Sequence, residues 1–239
     1  NGELNKEKID ELNQYFVKNI AELRRKTHIR KQNPLFSFKN IFMDFGRLTA
    51  YLHFGILFRV HTHDYAKIQK YHQIDGPFIL ASNHHSFSDP LVLMTAFFRR
   101  RVHILIAKEV YDNRRLRSFM LNGIGGIPID RSIFDVEAIG KCCDVLKRGR
   151  ALIIFPEGHI ETSDNEDAFK DGVAMIASRT NVPILPIYIV RTKKWIATKH
   201  IFTGELIYPK SSSMKSVKEC SKILEDKIEE LKEIAIKEG

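Results

Sequence analysis

From residue 73 onward, short apolar runs alternate with segments of helical period, the pattern of an α/β domain. Apolar runs predict strands at 77–82, 102–107, 126–130, 151–155, 184–190 and 201–207. Between them, helical spacing predicts helices at 90–99, 112–121, 135–148 and 168–179, with Asp135 capping the third and Gly149 closing it. A last helix, 215–237, sets Val217, Cys220, Leu224, Ile228, Leu231 and Ala235 on one face and Lys and Glu on the other. That polar side reads as solvated surface. The expected fold is therefore α/β, with a mixed, largely parallel central sheet flanked by helices.

The first third has a different texture. Leu4, Ile9, Leu12, Phe16, Ile20 and Leu23 recur at mostly three- and four-residue intervals, which predicts an amphipathic helix over 4–25. Six basic residues (Arg24, Arg25, Lys26, Arg30, Lys31, Lys39) follow without an acid, broken by Pro34. Residues 35–60 are then rich in aromatics: Phe36, Phe38, Phe42, Phe45, Tyr51, Phe54 and Phe58. The uncharged run Leu48 to Phe58 is shorter than the roughly 20 residues a membrane span needs. Basic residues beside a Phe-rich helix predict a segment lying in the membrane interface. A helix packed on the protein's own core is the competing reading. The expected division is 1–72 as an N-terminal helical membrane-associating segment and 73–239 as the α/β domain.

Composition fits one globular unit: 239 residues, 44% apolar and 28% charged. A net charge of +9 calls for a polyanionic partner, either nucleic acid or an anionic lipid surface. Three cysteines, two adjacent at Cys142 and Cys143, give no disulfide framework and no metal-ligand spacing, so no metal is expected and a reducing compartment is. No secretory signal is legible.

Ser82-Asn83-His84-His85-Ser86-Phe87-Ser88-Asp89-Pro90 joins the first of the predicted strands to a helix. A neutral imidazole at His84 can take a proton near pH 7, and Asp89 can fix its tautomer and stabilise the imidazolium. On a continuous helix these two side chains would diverge, so the chemistry requires His84 on the loop, folded back over the helix start. No protein nucleophile accompanies the pair, which points to a substrate hydroxyl as the proton source. Asp89-Pro90 is also a common way to begin a helix, with Asp89 as N-cap. Ser86 as a hydrolase nucleophile lacks the Gly-x-Ser-x-Gly elbow.

Other motifs end other strands, where open α/β sheets place ligands. Ile153-Ile154-Phe155-Pro156-Glu157-Gly158 is an apolar strand ending in Pro, a carboxylate and Gly. There Glu157 can accept hydrogen bonds and Gly158 lets the backbone approach a ligand, although a plain turn fits too. Gly125-Gly126-Ile127-Pro128-Ile129-Asp130-Arg131 supplies a flexible lead-in, a short strand and a guanidinium suited to bidentate phosphate binding. Asp130 with Arg131 also suits an ordinary surface ion pair.

In order, these residues resemble the glycerophospholipid acyltransferases, specifically the 1-acyl-glycerol-3-phosphate acyltransferases. Asn83 to Asp89 is similar to the family's His-x4-Asp block, Gly126 to Arg131 to the second, Phe155 to Gly158 to the third, and Val182-Pro183-Ile184-Leu185-Pro186-Ile187 to the fourth. Ala107-Lys108-Glu109 resembles a family segment whose lysine lies near the substrate phosphate. The likeness covers about residues 75–190, and the N-terminal helices resemble the membrane-attached helical pair of bacterial members.

The resemblance implies a membrane-associated enzyme that moves a fatty acyl group from an acyl thioester to the sn-2 hydroxyl of 1-acyl-glycerol-3-phosphate, giving phosphatidic acid. His84, held by Asp89, would act as general base without an acyl-enzyme. Lys108 and Arg131 would hold the acceptor phosphate in a pocket shaped by Glu157 and Gly158. The donor would be acyl carrier protein or coenzyme A thioester, with no further cofactor, at the cytoplasmic face of the cell membrane. Amides at the start of the helix after Asp89 are candidate oxyanion donors.

One departure stands out. The third block usually continues Thr-Arg, its arginine reaching the acceptor phosphate, whereas His159 and Ile160 stand here. Either Lys108 and Arg131 suffice, helped by His159 or Lys170, or the acceptor is another lysolipid with a different headgroup. From other classes, a serine thioesterase or lipase would use Ser86. A nucleic-acid binder would use the basic runs at 24–39, Arg99 to Arg101 and Arg114 to Arg117, which are scattered and lack a recognition motif. A non-catalytic membrane-binding relative has no need of His84 and Asp89.

Overall fold

The structure, a computed structural model, describes residues 41–64, 74, 76–111, 123, 125–130, 135–156, 166–191 and 198–238. The predicted helices at 4–25 and 112–121 and the basic runs at 24–39 and 114–117 lie outside the described residues.

Seven strands form one sheet: β1 (Val60–Asp64), β2 (Phe78–Ser82), β3 (Val102–Ala107), β4 (Gly126–Ile129), β5 (Ala151–Ile154), β6 (Ile184–Ile189) and β7 (Lys199–Thr203). Their order is β1-β7-β6-β2-β5-β3-β4. Pairing is parallel throughout except between β6 and β7. The mixed, largely parallel sheet expected from the sequence is what forms.

Its centre is apolar because both faces are covered. Alternate residues of the central strands serve opposite sides. Ile79, Ala81, Leu152, Ile154 and Ile184 pack with residues of α4 (Val136–Lys147), α5 (Glu166–Thr180) and α6 (Met214–Glu238). Phe78, Leu80, Ile153, Leu185 and Ile187 pack with Val92 and Leu93 of α2 (Asp89–Ala96) and with Phe97. Cys142, Cys143 and Cys220 are buried with free thiols. Burial pushes the Cys143 thiol up to about 12.

Local chemistry sets the helix ends. Asp135 caps α4 as expected, its carboxylate accepting from Ala138 N (2.9 Å), and Gly149 follows at φ 75. Asn181 takes the left-handed turn after α5 at φ 52, a conformation asparagine tolerates. The helix predicted at 90–99 is shorter, because Phe97 to Arg100 turn out of it.

One strand was not predicted. Val60-His61-Thr62-His63-Asp64 has no apolar run, since β1 is an edge strand paired only with β7. The run predicted at 201–207 begins earlier, at Lys199, and β7 ends before Gly204; Ile207 then pairs separately with Ile184.

Helix α1 (Ile41–Phe58) packs against α2. Asp44 is buried and forms a two-pronged ion pair with Arg101 (2.9 and 2.6 Å), and Tyr51 stacks on Phe98 (ring centroids 4.0 Å apart). Ile41, Phe45, Leu48 and Leu52, at intervals of four, three and four, stay exposed. α1 thus has a docked face and a bare apolar stripe. Among the described residues no helix is long and apolar enough to cross a membrane.

Candidate active site

Because β2, β3, β4, β5 and β6 are mutually aligned, their C-terminal ends share one edge of the sheet. The His84 loop leaves β2 there, and Lys108 follows β3 as the first residue of the short helix α3 (Lys108–Tyr111). β5 lies between β2 and β3, which separates the two by roughly 10 Å across the sheet. Lys108 is exposed and has no partner among the described residues. Arg131, Glu157, Gly158, His159 and Ile160 lie outside the described residues. The second carboxylate oxygen of Asp135 accepts from Asp130 N (3.0 Å).

His84 and Asp89 meet as the loop reading required. The Nδ1–H of His84 donates to Asp89 Oδ2 at 3.1 Å, with both side chains largely shielded from solvent. The same oxygen accepts from His85 N (2.7 Å) and Ser86 N (2.7 Å). With Nδ1 donating, the proton-accepting lone pair of a neutral His84 lies on Nε2. Phe155, just past β5, stacks on the His84 ring (centroids 4.2 Å apart, planes 20° apart) and holds its plane.

Helix capping is not what Asp89 does. Ser88 occupies the cap position without a side-chain cap bond, and Asp89 is the first helical residue. Its carboxylate points back at the preceding loop rather than at its own helix. Of the amides expected to serve as oxyanion donors, Leu91 N–H is left without a partner among the described residues. Asp89 N–H bonds to Ser86 O (2.9 Å), Pro90 has none, and Val92 N–H bonds to Ser88 O (3.0 Å).

Ser86 is not poised as a nucleophile. Its hydroxyl pairs with Ser88 Oγ (3.0 Å) and accepts from Ser88 N (3.3 Å), and it has no bond to His84. Nor do Arg99 to Arg101 form a surface patch. Arg100 is buried, donating to Ile74 O and Gly76 O and lying over Phe78, and Arg101 is consumed by Asp44.

Gly125 is required by structure. Its φ is 85, and a Cβ there would lie 2.8 Å from His103 Nδ1. Gly125 O accepts from that nitrogen (3.0 Å), and Arg150 donates to His103 Nε2 (2.8 Å). Burial, with Arg150 beside it, lowers the His103 pKa to about 4.

Asn83 was read only as part of the motif, yet it anchors the loop. Buried just past β2, it exchanges two hydrogen bonds with the backbone of Ile189: Ile189 N to Asn83 Oδ1 (2.7 Å) and Asn83 Nδ2 to Ile189 O (3.0 Å). Nothing in the local pattern pointed to a partner 106 residues away. Among the described residues no group of three or more His, Cys, Asp or Glu could hold a metal ion.

A family model described as Acyltransferase matches residues 59–190. The 1-acyl-sn-glycerol-3-phosphate acyltransferase of Streptococcus pneumoniae is 30% identical over 141 residues, covering 59% of this chain and 50% of that protein. The Bacillus subtilis protein of the same name is 30% identical over 113 residues, 47% and 55% of the two chains. A chloroplastic one from Brassica napus is 28% identical over 126 residues, 52% and 36%. The chain thus spans about half the length of the curated relatives it matches. The crystal structure of the 1-acyl-sn-glycerophosphate acyltransferase of Thermotoga maritima superposes with a TM-score of 0.55 at 21% identity. It covers 92% of this chain and 95% of that one, a likeness of fold.

Proposed function

Since the chain belongs to the Acyltransferase family, whose model spans more than half of it, we propose that it is a membrane-associated O-acyltransferase acting on lysophosphatidic acid. The acceptor's sn-2 hydroxyl attacks the thioester carbonyl while His84 Nε2 removes its proton. Asp89 stabilises the imidazolium, and His84 returns the proton to the departing thiolate. No acyl-enzyme forms.

The observation that carries this reading is the His84–Asp89 bond at 3.1 Å, with Asp89 Oδ2 held in place by two loop amides. The named activity of the curated relatives supports the acceptor class. Lys108, without a partner among the described residues at the same edge of the sheet, suits its phosphate, with Arg131, Glu157 and Gly158 assigned by motif to the same pocket. The donor is acyl carrier protein or coenzyme A thioester; either is anionic and suits the net charge of +9. The exposed stripe of α1 supports attachment to a membrane surface, peripheral or monotopic, and the cytoplasmic face of the cell membrane is the one we assign to it.

A second acceptor remains in view because Ile160 stands where the family pattern has arginine. Incubating the protein with an acyl thioester and a panel of lysolipids, with mass detection of products, tests both. Lysophosphatidic acid is the expected acceptor, and acylation of another lysolipid alone selects the second reading. His84→Ala should lower transfer by about 10²–10⁴-fold; a variant that transfers at the parent rate removes the general base.

A further inference from the structure

His85 has an assignable tautomer. Asn83 Oδ1 accepts from Ile189 N–H and Asn83 Nδ2 donates to Ile189 O, so the backbone fixes which end of the amide is nitrogen. The other Nδ2 hydrogen is left for His85 Nε2, 2.8 Å away. That ring nitrogen is therefore the acceptor, and the ring proton sits on Nδ1. The ring is half-buried, yet His85 Nδ1–H has no acceptor among the described residues. A ring N–H next to the base that no described protein group takes up is available to a ligand.

Strand order says which ligand. His84 leans toward β5, stacked on Phe155, and Lys108 stands one strand further at the end of β3. Through Asn83, His85 is tied to Ile189 at the end of β6, on the opposite flank of β2. Lys108 and the ring of His85 thus lie on opposite sides of the base. With the helix-start amides at Asp89 and Val92 engaged, Leu91 N–H is the helix-start donor left for the charge developing on a carbonyl oxygen, and the His85 ring can supply a second.

Resting on the acyl-transfer reading, we propose that His85 Nδ1–H donates to the carbonyl oxygen of the acyl thioester, which lies on the β6 flank of His84. The acceptor hydroxyl gives its proton to His84 Nε2, and its oxygen bonds to the carbonyl carbon. The carbonyl π electrons move onto the oxygen held by His85. They return as the C–S bond breaks, and the thiolate takes the proton from His84. A neutral imidazole N–H is a competent donor to such an oxygen.

The test exploits amide isosteres in the full chain. Asparagine places an amide N–H near the Nδ1 position, glutamine near Nε2. His85→Gln and His85→Ala should lose about 10²–10³-fold in kcat, as does removal of one oxyanion donor. His85→Asn should recover at least tenfold of that, with the KM for the lysolipid unchanged in all three. Wild-type kcat in His85→Gln, or no advantage of Asn over Gln, overturns the proposal. A second arm needs no turnover: the His85 ¹⁵Nδ1–H resonance should shift on adding palmitoyl-coenzyme A or palmitoyl-acyl carrier protein. Movement with one donor alone names the carrier, and movement with neither overturns the proposal. A shift in a protein that transfers no acyl group would instead refute the acyl-transfer reading and leave the carbonyl site standing.

Discussion

Replacing Asp89 with asparagine separates two duties of a single oxygen atom. Oδ2 accepts from His84 Nδ1 at 3.1 Å and from the His85 and Ser86 amides at 2.7 Å each. Asparagine can keep an oxygen in that place and so keep the loop, but it removes the negative charge. At 3.1 Å and an effective dielectric of about 20, attraction to an imidazolium is about 5 kcal/mol. The amide dipole retains part of it, leaving a loss of about 3–4 kcal/mol, or about 10²–10³-fold in kcat. Stability should change by only about 1 kcal/mol, since the amide bonds survive. Asp89→Ala, by contrast, strands two loop amides and should cost about 3–5 kcal/mol. At about 2–4 °C per kcal/mol for a chain of this size, the melting temperature falls by about 10 °C. The assay pairs initial rates of lysolipid acylation with thermal melts followed by circular dichroism. If Asp89→Asn keeps more than a tenth of the parent kcat, the carboxylate does not act through charge on His84.

Other outcomes follow from the same geometry. Asp44→Asn leaves Arg101 buried without its counter-charge and should cost about 3–5 kcal/mol, whereas Asp44→Leu with Arg101→Met should recover most of it; urea titration measures both, and an unchanged midpoint in the single variant contradicts the ion pair. His103 is held neutral, with a pKa of about 4 against 6.5 when unfolded. Between those values the unfolded chain binds the extra proton, so stability is whole above about pH 6.5 and declines by about 3 kcal/mol as pH falls toward 4. His103→Gln should flatten that part of the stability–pH curve, and an equally steep curve in the variant assigns the loss to other groups. Phe45→Ser with Leu48→Ser should weaken binding to anionic vesicles by about 10²-fold, from about 1–2 kcal/mol per side chain, without lowering the melting temperature. Equal vesicle binding in a co-sedimentation assay rules α1 out as the contact.

The core strands were legible because burial on both faces demands continuous apolar runs, as in Phe78 to Ala81 and Ala151 to Ile154. β1 was not, because an edge strand beside one neighbour needs no such run, and its Val-His-Thr-His-Asp reads as loop. Within the site, the His84–Asp89 pairing was legible from spacing and residue type. Asp89 was ambiguous on paper, since Asp-Pro suits a cap; the carboxylate turned backward because three donors await it there. The basic run at Arg99 to Arg101, set aside on paper as lacking a recognition motif, is dispersed in the fold too: Arg100 and Arg101 are adjacent in sequence to an exposed arginine, yet backbone carbonyls and Asp44 draw both inside. Asn83 to Ile189 is a tertiary contact, and no local pattern encodes it.

That contact also dates the site within the life of the chain. Residues 78–154 supply four of the seven strands and both members of the His84–Asp89 pair before β6 exists. Asn83 acquires its partner only when Ile189, 106 residues later, has been added and has docked. A nascent chain stopped short of β6 therefore holds the His84–Asp89 pair, its loop amides and Phe155, but not the anchor that ties the loop to the far side of β2. The last anchor of the His84 loop thus comes with the docking of β6 rather than with the synthesis of the loop itself.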